Sequence, residues 1–414
     1  MLAVAYERLQ DFVSLCERER CIYAILGKAT ARRDLRVNDA QFDNRPVDLP
    51  LEVLLGKPPK MHRDAGHAET AQPEFERGDI DLLEALYRVL RLPAVADKTF
   101  LISIGDRSVS GLVARDQMVG PWQVPVADAS VTLTDYRGFT GEAMSMGERT
   151  PLALLDAPAA GRIAIGEALT NLGSAWVGDL SRTVLSANWM AAAGHAGEDA
   201  RLFDTVRAGG MELCPELGVT IPVGKDSLSM QTRWQEGDSD RSVTAPLSLI
   251  ISAFAPVADV RKTVTPDIKA AEQKSYLLLF DFGDRQNRIG ASALTQVYAQ
   301  IGTVGPDLDD ASVFKTAFVT LQSMLEQELL LAYHDHSDGG LVSTLCEMSY
   351  AGQSGLLCDI SELGDDVLAA LFNEELGVVA QVLESNLARV ESMLQQAGLG
   401  HLVHRIGEPQ SEAN

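Results

Sequence analysis

Residues 158–172 read PAAGRIAIGEALTNL, and they predict a long helix over residues 158–175. Glu167 and Asn171 stand four positions apart, so their side chains share one face of that helix. A carboxylate and a carboxamide on an apolar stretch are costly to bury without partners. One solution is a shared hard cation, which prefers oxygen ligands, and the other is a solvated helix face. The apolar neighbours are Ile163, Ala164 and Leu169.

Asp128 supplies a third oxygen ligand for this predicted cation site. It follows the apolar segment 124–127, which we interpret as a strand, so its side chain is expected at the strand end. A carboxylate there, added to Glu167 and Asn171, gives a ligand set typical of Mg²⁺. The alternative interpretation is a simple aspartate turn.

A second polar group lies at residues 334–341, HDHSDGGL, between the apolar run 329–332 and a helix that starts at Gly340. A strand-to-helix turn with two glycines can bind phosphate through backbone N–H groups and the helix dipole. Asp335 is then placed to hold Mg²⁺ against the phosphate. The alternative is a capped turn with Ser337 or Asp338 as N-cap. Zinc is disfavoured, because no cysteine or HExxH partner accompanies the histidines.

A third group, residues 222–230, reads PVGKDSLSM. It is not a P-loop, because Asp226 stands where that motif has Ser or Thr. Lys225 can still meet a phosphate as a mobile charge, and the alternative is a hairpin loop with a solvated Lys–Asp pair. No GxSxG or GxCxG elbow and no GxGxxG after a strand is present, so triad hydrolysis and dinucleotide binding lack support.

Composition excludes several classes of protein. The chain has 414 residues and a formal net charge of −23, which is the wrong sign for a nucleic-acid binder. Its five cysteines have no CxxC spacing, so neither a disulfide framework nor a zinc site is expected. No signal peptide or membrane span is predicted, because the longest uncharged run, 242–258, contains two prolines. We expect a cytoplasmic protein without nucleic-acid or membrane partners.

One supersecondary unit occurs twice. Residues 2–5, 7–20 and 21–26 are interpreted as strand, helix and strand, and the same pattern is found at 377–382, 386–396 and 401–406. A strand needs neighbours for its backbone groups, so we expect that residue 1 lies inside a domain whose earlier part is missing. An unrelated βαβ unit is the alternative.

The remaining segments predict a β-rich region followed by an α/β region, with linkers at 56–64 and 259–265. Helices are expected at 80–92, 198–213, 311–328 and 340–350, and strands at 100–104, 123–126, 131–133, 218–223, 247–254 and 276–280.

Five phrases together resemble the large, single-chain formylglycinamide ribonucleotide amidotransferases. They are GDRSVSGLVARDQMVGPWQVPVADASVT (105–132), GEAMSMGERTPLALLDAPAAGRIAIGEALTNL (141–172), LSANWMAAAGHAGEDARLFD (185–204), IPVGKDSLSM (221–230) and AYHDHSDGGL (332–341). The resemblance implies an α/β (α+β) fold of the aminoimidazole-ribonucleotide-synthetase type. That fold has a β-rich N-terminal domain and an α/β C-terminal domain, here preceded by a partial α/β unit.

The resemblance implies five segments. They are residues 1–56 as the tail of a preceding synthetase-like domain, 57–97 as a helical linker, 98–258 as the β-rich domain, 259–409 as the α/β domain, and 410–414 as a tail.

The resemblance also implies roles for individual residues. Asp128, Glu167, Asn171 and Asp335 match the family's magnesium ligands, and Ala127 and Ser337 match positions that contact the nucleotide. Lys225 remains a phosphate candidate. The expected cofactors are therefore Mg²⁺ and ATP or ADP.

The implied activity is a carbon–nitrogen ligase of purine biosynthesis. It converts formylglycinamide ribonucleotide, glutamine and ATP to formylglycinamidine ribonucleotide. The expected partners are the nucleotide, that substrate, a first synthetase-like half and a glutaminase domain. One alternative is an auxiliary nucleotide-binding half without turnover. Another is a related synthetase such as aminoimidazole ribonucleotide synthetase, which the segment DNRPVDLPLEVLLGKPPKM (43–61) disfavours.

Overall fold

The computed structural model describes residues 1–58, 62, 64–68, 72–78, 80–108, 111–270 and 273–410. The chain divides into two units, Met1–Asp64 and Ala65–Asn414. Parts of the predicted linker 57–97 and most of the predicted tail 410–414 lie outside the described residues.

The first unit has few elements. They are α1 (Leu9–Arg18), β1 (Asp34–Asp39), β2 (Asn44–Pro50) and α2 (Leu51–Leu55). β1 and β2 pair as an antiparallel hairpin. The carboxylate of Asp39 closes the turn by accepting the N–H groups of Gln41 at 2.8 Å and Phe42 at 3.2 Å.

The predicted helix at 7–20 is confirmed by α1, but the strands predicted at 2–5 and 21–26 are wrong. Neither segment pairs with a described strand, and Ile22 is fully exposed. An apolar run becomes a strand only when a neighbouring strand satisfies its backbone groups. Of the first repeat copy, only the helix is therefore present in the described chain.

The second unit begins with a helical segment followed by a β-rich region. Its elements are α3 (Leu82–Val89), α4 (Thr99–Ile104), β3 (Val113–Arg115), β4 (Ser130–Leu133), β5 (Gly141–Glu148), α5 (Ala157–Leu172), β6 (Val184–Met190), α6 (Glu198–Val206), α7 (Cys214–Leu217), β7 (Thr220–Ser227), β8 (Gln231–Glu236), β9 (Ser239–Thr244) and β10 (Ser248–Val257). A π-helical segment, Arg207–Leu213, joins α6 to α7. Six strands form one sheet in the order β3-β4-β5-β10-β6-β7, and only β6 and β7 are parallel. β8 and β9 form a separate hairpin.

Two predictions in this region are wrong. The strand predicted at 100–104 is helix α4, because a short apolar run does not distinguish the two structures by its period. The strand predicted at 123–126 is reduced to a single bridge between Val119 and Val124. Pro125 has no N–H group to continue a ladder there. Asp128 therefore lies in a loop before β4 and does not end a strand.

The helix predicted at 158–175 is confirmed by α5, which packs closely on β5. The hydroxyl of Ser145 donates to the carbonyl of Ala168 at 2.6 Å. Gly147 permits this approach, since a Cβ there would lie 2.3 Å from the oxygen of Ala164 and 2.4 Å from the nitrogen of Ala168. Glycine at this position thus sets the distance between helix and sheet.

The rest of the second unit is an α/β region. Its elements are β11 (Ser275–Asp281), α8 (Ala293–Val297), α9 (Ala311–Glu326), β12 (Leu330–His336), α10 (Gly340–Gly352), β13 (Gly355–Cys358), α11 (Val367–Phe372), β14 (Gly377–Leu383), α12 (Glu384–Gln396) and β15 (Val403–Gln410). The strands form an antiparallel sheet in the order β12-β14-β11-β15-β13. The predicted second repeat copy is confirmed as β14, α12 and β15, with both strands next to β11.

Helices cover both faces of this sheet. Leu278 and Phe280 share one apolar cluster with α9 and α12, whereas Leu277 and Leu279 share another with α10 and α11. Successive strand residues point to opposite faces. β11 is buried along its whole length for this reason, which explains its uninterrupted apolar sequence.

Two buried polar side chains join the α/β region to the β-rich region of the second unit. Gln322 on α9 accepts the N–H groups of Val177 and Gly178 at 2.8 and 2.9 Å, and its amide donates to the carbonyls of Gly173 and Ala175. The hydroxyl of Tyr333 on β12 donates to the carbonyl of Thr170 at 2.7 Å. The backbone at and beyond the end of α5 is thereby satisfied by the α/β region.

We expect Gly147→Ala to lower the free energy of unfolding by about 1–3 kcal/mol, because the added methyl group forces β5 away from α5. Gly138→Ala is the matched control, since a Cβ there meets its nearest atom at 3.8 Å. It should change stability by no more than about 0.5 kcal/mol. Urea unfolding of both variants measures the difference, and equal midpoints would refute the close approach.

Candidate metal and nucleotide site

The two candidate ligands on α5 are held by backbone groups of β5. The carboxylate of Glu167 accepts the N–H of Glu148 at 2.9 Å through Oε2. The amide of Asn171 donates to the carbonyl of Met146 at 3.1 Å through Nδ2. In each case one side-chain atom is fixed by the strand, and the remaining oxygen makes no hydrogen bond to the described residues. These two oxygens are available for a cation.

Asp128 has a fully buried side chain. Its Oδ1 accepts the N–H of Asp335 at 3.2 Å and lies 2.7 Å from Nδ1 of His334. Its Oδ2 is buried and has no hydrogen-bond partner within the described chain. Burial raises the pKa of Asp128 to about 7, and the charge of His334 opposes that shift.

Asp335 brings the α/β region into the site. It is the penultimate residue of β12 and is buried. Asp128, His334 and Asp335 each offer a ligand atom, and these atoms lie within 4.8 Å of one another. The predicted meeting of Asp128 and Asp335, which are separated by more than 200 positions, is present in the structure.

Glu167 belongs to the same electrostatic environment. Burial raises the pKa of its carboxyl well above the ordinary value, Arg149 opposes the shift, and the charges of Asp338 and Asp335 raise the pKa further. Like charges in a buried space favour either protonation or a shared cation.

His334 lies between two carboxylates. Its Nδ1 faces Asp128, and its Nε2 lies 2.8 Å from Oε2 of Glu347 on α10. Burial alone lowers the pKa of His334, but Asp128 and Glu347 raise it well above the ordinary value. Both ring nitrogens face carboxylates, so the ring is placed to orient Asp128.

The turn before α10 differs from the predicted phosphate site. The strand-to-helix turn is present, but the carboxylate of Glu374 accepts the N–H of Gly339 at 2.8 Å. The N–H of Gly340 donates to the carbonyl of Ser337 at 2.9 Å. No side chain caps α10 from its own N-cap residue, Gly339, so the alternative of Ser337 or Asp338 as N-cap is wrong.

Arg149 connects the two regions. It follows β5, is almost fully buried, and Nη1 donates to Asp338 and, at 3.2 Å, to Glu374. Its Nη2 lies 3.9 Å from Oε2 of Glu167. Burial alone lowers the pKa of Arg149, but these carboxylates raise it, so the guanidinium stays charged.

The three residues predicted to contact the nucleotide, Ala127, Ser337 and Lys225, lie in three different elements of the fold. The N–H of Ala127, the neighbour of Asp128, donates to the carbonyl of Gln117 at 3.3 Å. Ser337 lies in the half-buried turn after β12. Lys225 lies on the exposed edge strand β7, in register with Asn188, and not in a hairpin loop. Within the described residues, no hydrogen bond or ion pair joins Lys225 to the carboxylates.

The residues present fit a divalent cation. The donor set is carboxylate and amide oxygen, and the buried Oδ2 of Asp128 lacks any partner in the described part of the chain. A buried unpaired carboxylate oxygen is costly, and a cation removes that cost.

Sequence reasoning missed three residues of this neighbourhood: Arg149, Glu347 and Glu374. One signal was available, because two consecutive glutamates, Glu374 and Glu375, stand inside the apolar stretch LFNEELGVV. Charges in an expected core need partners. The partner itself, more than 200 positions away, could not be identified from the spacing.

We expect Asp128→Asn and Asp335→Asn each to weaken Mn²⁺ binding about tenfold or more, because each removes a carboxylate ligand. Mn²⁺ is used as a Mg²⁺ substitute, and the electron paramagnetic resonance signal of the free ion measures binding. Glu391→Gln on the exposed face of α12 is the control and should bind like the unaltered chain. Unchanged affinity in both aspartate variants would remove them from the ligand set.

Two family models match the chain. Residues 97–256 match the FGAR-AT PurM_N-like domain, and residues 280–413 match the C-terminal domain of AIR synthase related proteins. Together with the mixed α/β structure, these matches define a two-domain fold of the aminoimidazole-ribonucleotide-synthetase type.

Solved structures agree in fold. T. maritima PurL complexed with FGAR has 12% sequence identity and a TM-score of 0.58, over 80% of this chain and 50% of that one. T. maritima PurL complexed with ATP has 15% identity and a TM-score of 0.52, over 80% and 48%. The chain thus spans about half the length of these proteins. The two domain matches make it a PurL-like synthetase half, which confirms the resemblance and the fold class predicted from the sequence.

No helix in the described part of the chain is both long enough and apolar enough to cross a membrane.

Proposed function

We propose that this chain supplies a magnesium-dependent nucleotide-binding half of an ATP-dependent ligase. In the complete enzyme, formylglycinamide ribonucleotide, glutamine and ATP give formylglycinamidine ribonucleotide in cytoplasmic purine biosynthesis. The observation that carries the proposal is the buried meeting of Asp128 and Asp335 beside Glu167, with Oδ2 of Asp128 unpartnered in the described chain. T. maritima PurL, of the same fold, has been solved with ATP and with FGAR.

Each candidate residue has a distinct task in this proposal. Asp128, Glu167, Asn171 and Asp335 hold Mg²⁺, which when bound neutralises phosphate charge. β5 orients Glu167 and Asn171, and His334 orients Asp128. Ala127 and Ser337 are proposed to contact the nucleotide, and Lys225 is the weakest candidate because it lies on an exposed edge strand.

A second candidate function is an auxiliary half that holds nucleotide without turnover. One observation favours it. Arg149, a buried cation beside the candidate ligands, is already paired with Asp338 and Glu374. Phosphoryl transfer normally uses a cation that is free to meet the transferred group, and Arg149 is not free in this sense.

Binding of Mg-ADP should stabilise the folded chain. A ligand that binds only the native state contributes about 2.7 kcal/mol at a hundredfold excess over its dissociation constant. The effect should require Mg²⁺, because carboxylates repel bare phosphates. Thermal unfolding with Mg-ADP, with ADP and EDTA, and with Mg²⁺ alone separates these contributions.

Glu167→Ala should abolish that stabilisation and leave the ligand-free fold intact, because a buried like charge is removed. Glu391→Gln should respond to Mg-ADP as the unaltered chain does. If millimolar Mg-ADP gives neither heat in calorimetry nor a melting shift with the unaltered chain, the chain does not bind nucleotide by itself and the proposal fails.

The chain should make no amidine from glutamine. Glutamine hydrolysis requires an activated nucleophile, and burial raises the pKa of the thiols of Cys214, Cys346 and Cys358. Little or no product is expected with ammonium, because a first synthetase-like half is proposed to share the active site. Product assay with purified chain and either nitrogen donor measures both, and sustained turnover would contradict this assignment of partners.

A further inference from the structure

The N-terminal end of α10 already contains an anion. α10 has 13 residues, and its first N–H groups form the positive end of the helix dipole. Oε1 of Glu374 accepts the N–H of Gly339 at 2.8 Å and the N–H of Ala293, at the start of α8, at 2.9 Å. A buried carboxylate thus takes the position that a phosphate oxygen would take at such a turn.

Arg149 holds this carboxylate and is incompletely satisfied itself. Nη1 donates to Oε2 of Glu374 at 3.2 Å and to Asp338, while Nε and Nη2 are buried without a hydrogen-bond partner among the described residues. Unpaired buried guanidinium N–H groups are costly. They leave Arg149 able to donate to a further anionic oxygen if Glu374 releases the guanidinium.

Charge decides what can bind beside Arg149. Two cations, Arg149 and His334, lie among seven carboxyl groups: Asp128, Glu148, Glu167, Asp335, Asp338, Glu347 and Glu374. Free phosphate meets net repulsion from the ionised members of this set, whereas a divalent cation is attracted.

We propose that Arg149 and Glu374 form a resident ion pair that fills the anion position at the N-terminus of α10, so that phosphate binds this site only through divalent cations. Glu374 is then a specificity-determining residue that imposes metal dependence, and Arg149 is the positioning residue that keeps Glu374 in place. The inference rests on the proposed nucleotide-binding function but is tested separately from it.

The test is binding of pyrophosphate in EDTA, measured by calorimetry on the full chain. The unaltered chain should show no binding up to millimolar pyrophosphate. Glu374→Gln should bind it with a dissociation constant about tenfold or more below a millimolar, because a neutral amide holds Arg149 and the two N–H groups less strongly than a carboxylate and pyrophosphate can displace it.

Glu375→Gln is the matched control. Glu375 is the next residue and is equally buried. Its Oε1 lies 2.7 Å from Nε of Arg288, and Arg288 is not one of the candidate ligands. The same chemical change there should give no pyrophosphate binding in EDTA. A gain in both variants would mean that any loss of negative charge suffices, and the inference would be overturned.

Asp338→Asn keeps the test decisive if Glu374→Gln does not fold. Asp338 pairs with Arg149 at the more exposed end of the cluster and does not cap α10, so its loss should give a smaller gain in the same direction. Folded variants without any gain, or an unaltered chain that binds pyrophosphate in EDTA, would overturn the inference. If the unaltered chain fails to bind Mg-ADP, that result contradicts the proposed function only. The inference is tested with pyrophosphate in EDTA, where no metal is available.

Discussion

The second unit depends on one buried guanidinium. Arg149 follows the last residue of β5 in the β-rich sheet, and its ion pairs reach Asp338 before α10 and Glu374 before β14 in the α/β region. Burying an arginine costs several kcal/mol unless carboxylates and hydrogen bonds compensate it. The pairing therefore restricts how the two sheets can meet, since a shift that separates Arg149 from either carboxylate leaves a buried charge without a partner. Gln322 and Tyr333 restrict the same junction by satisfying the backbone at the end of α5.

Packing and hydrogen bonds at this junction fix the positions of the candidate ligands. Gly147 lets α5 approach β5, and the strand then fixes one atom each of Glu167 and Asn171. Asp128 is fixed from the other side by the backbone and side chain of β12 residues 334 and 335. In each of these three side chains, a hydrogen bond fixes one atom and leaves one oxygen without a hydrogen-bond partner among the described residues. Such preorganisation suits a cation that requires a defined octahedral shell.

Local patterns explain why part of this could be predicted from the sequence. The spacing of Glu167 and Asn171 depends only on helix period, and the turn at 334–341 depends only on local glycines, so both are found as predicted. The strands predicted at 2–5, 21–26 and 100–104 fail because strand formation depends on partners that a window of residues does not contain. The pairing of Arg149 with Glu374 joins positions 225 apart in the chain. Only the three-dimensional fold places these two charges together, and so only the fold shows that the α10 terminus is already occupied.

The distribution of the candidate ligands would link the proposed cation binding to the junction of the two regions. Asp128, Glu167 and Asn171 come from the β-rich region and Asp335 from the α/β region, yet all four lie within the single unit Ala65–Asn414. A cation held by all four therefore contacts both regions, and its binding free energy adds to the stability of their junction. The reverse also holds, because a junction held by Arg149, Gln322 and Tyr333 brings the carboxylates together before any cation arrives. The repulsion among those carboxylates is then a cost to folding, and the proposed cation would remove it.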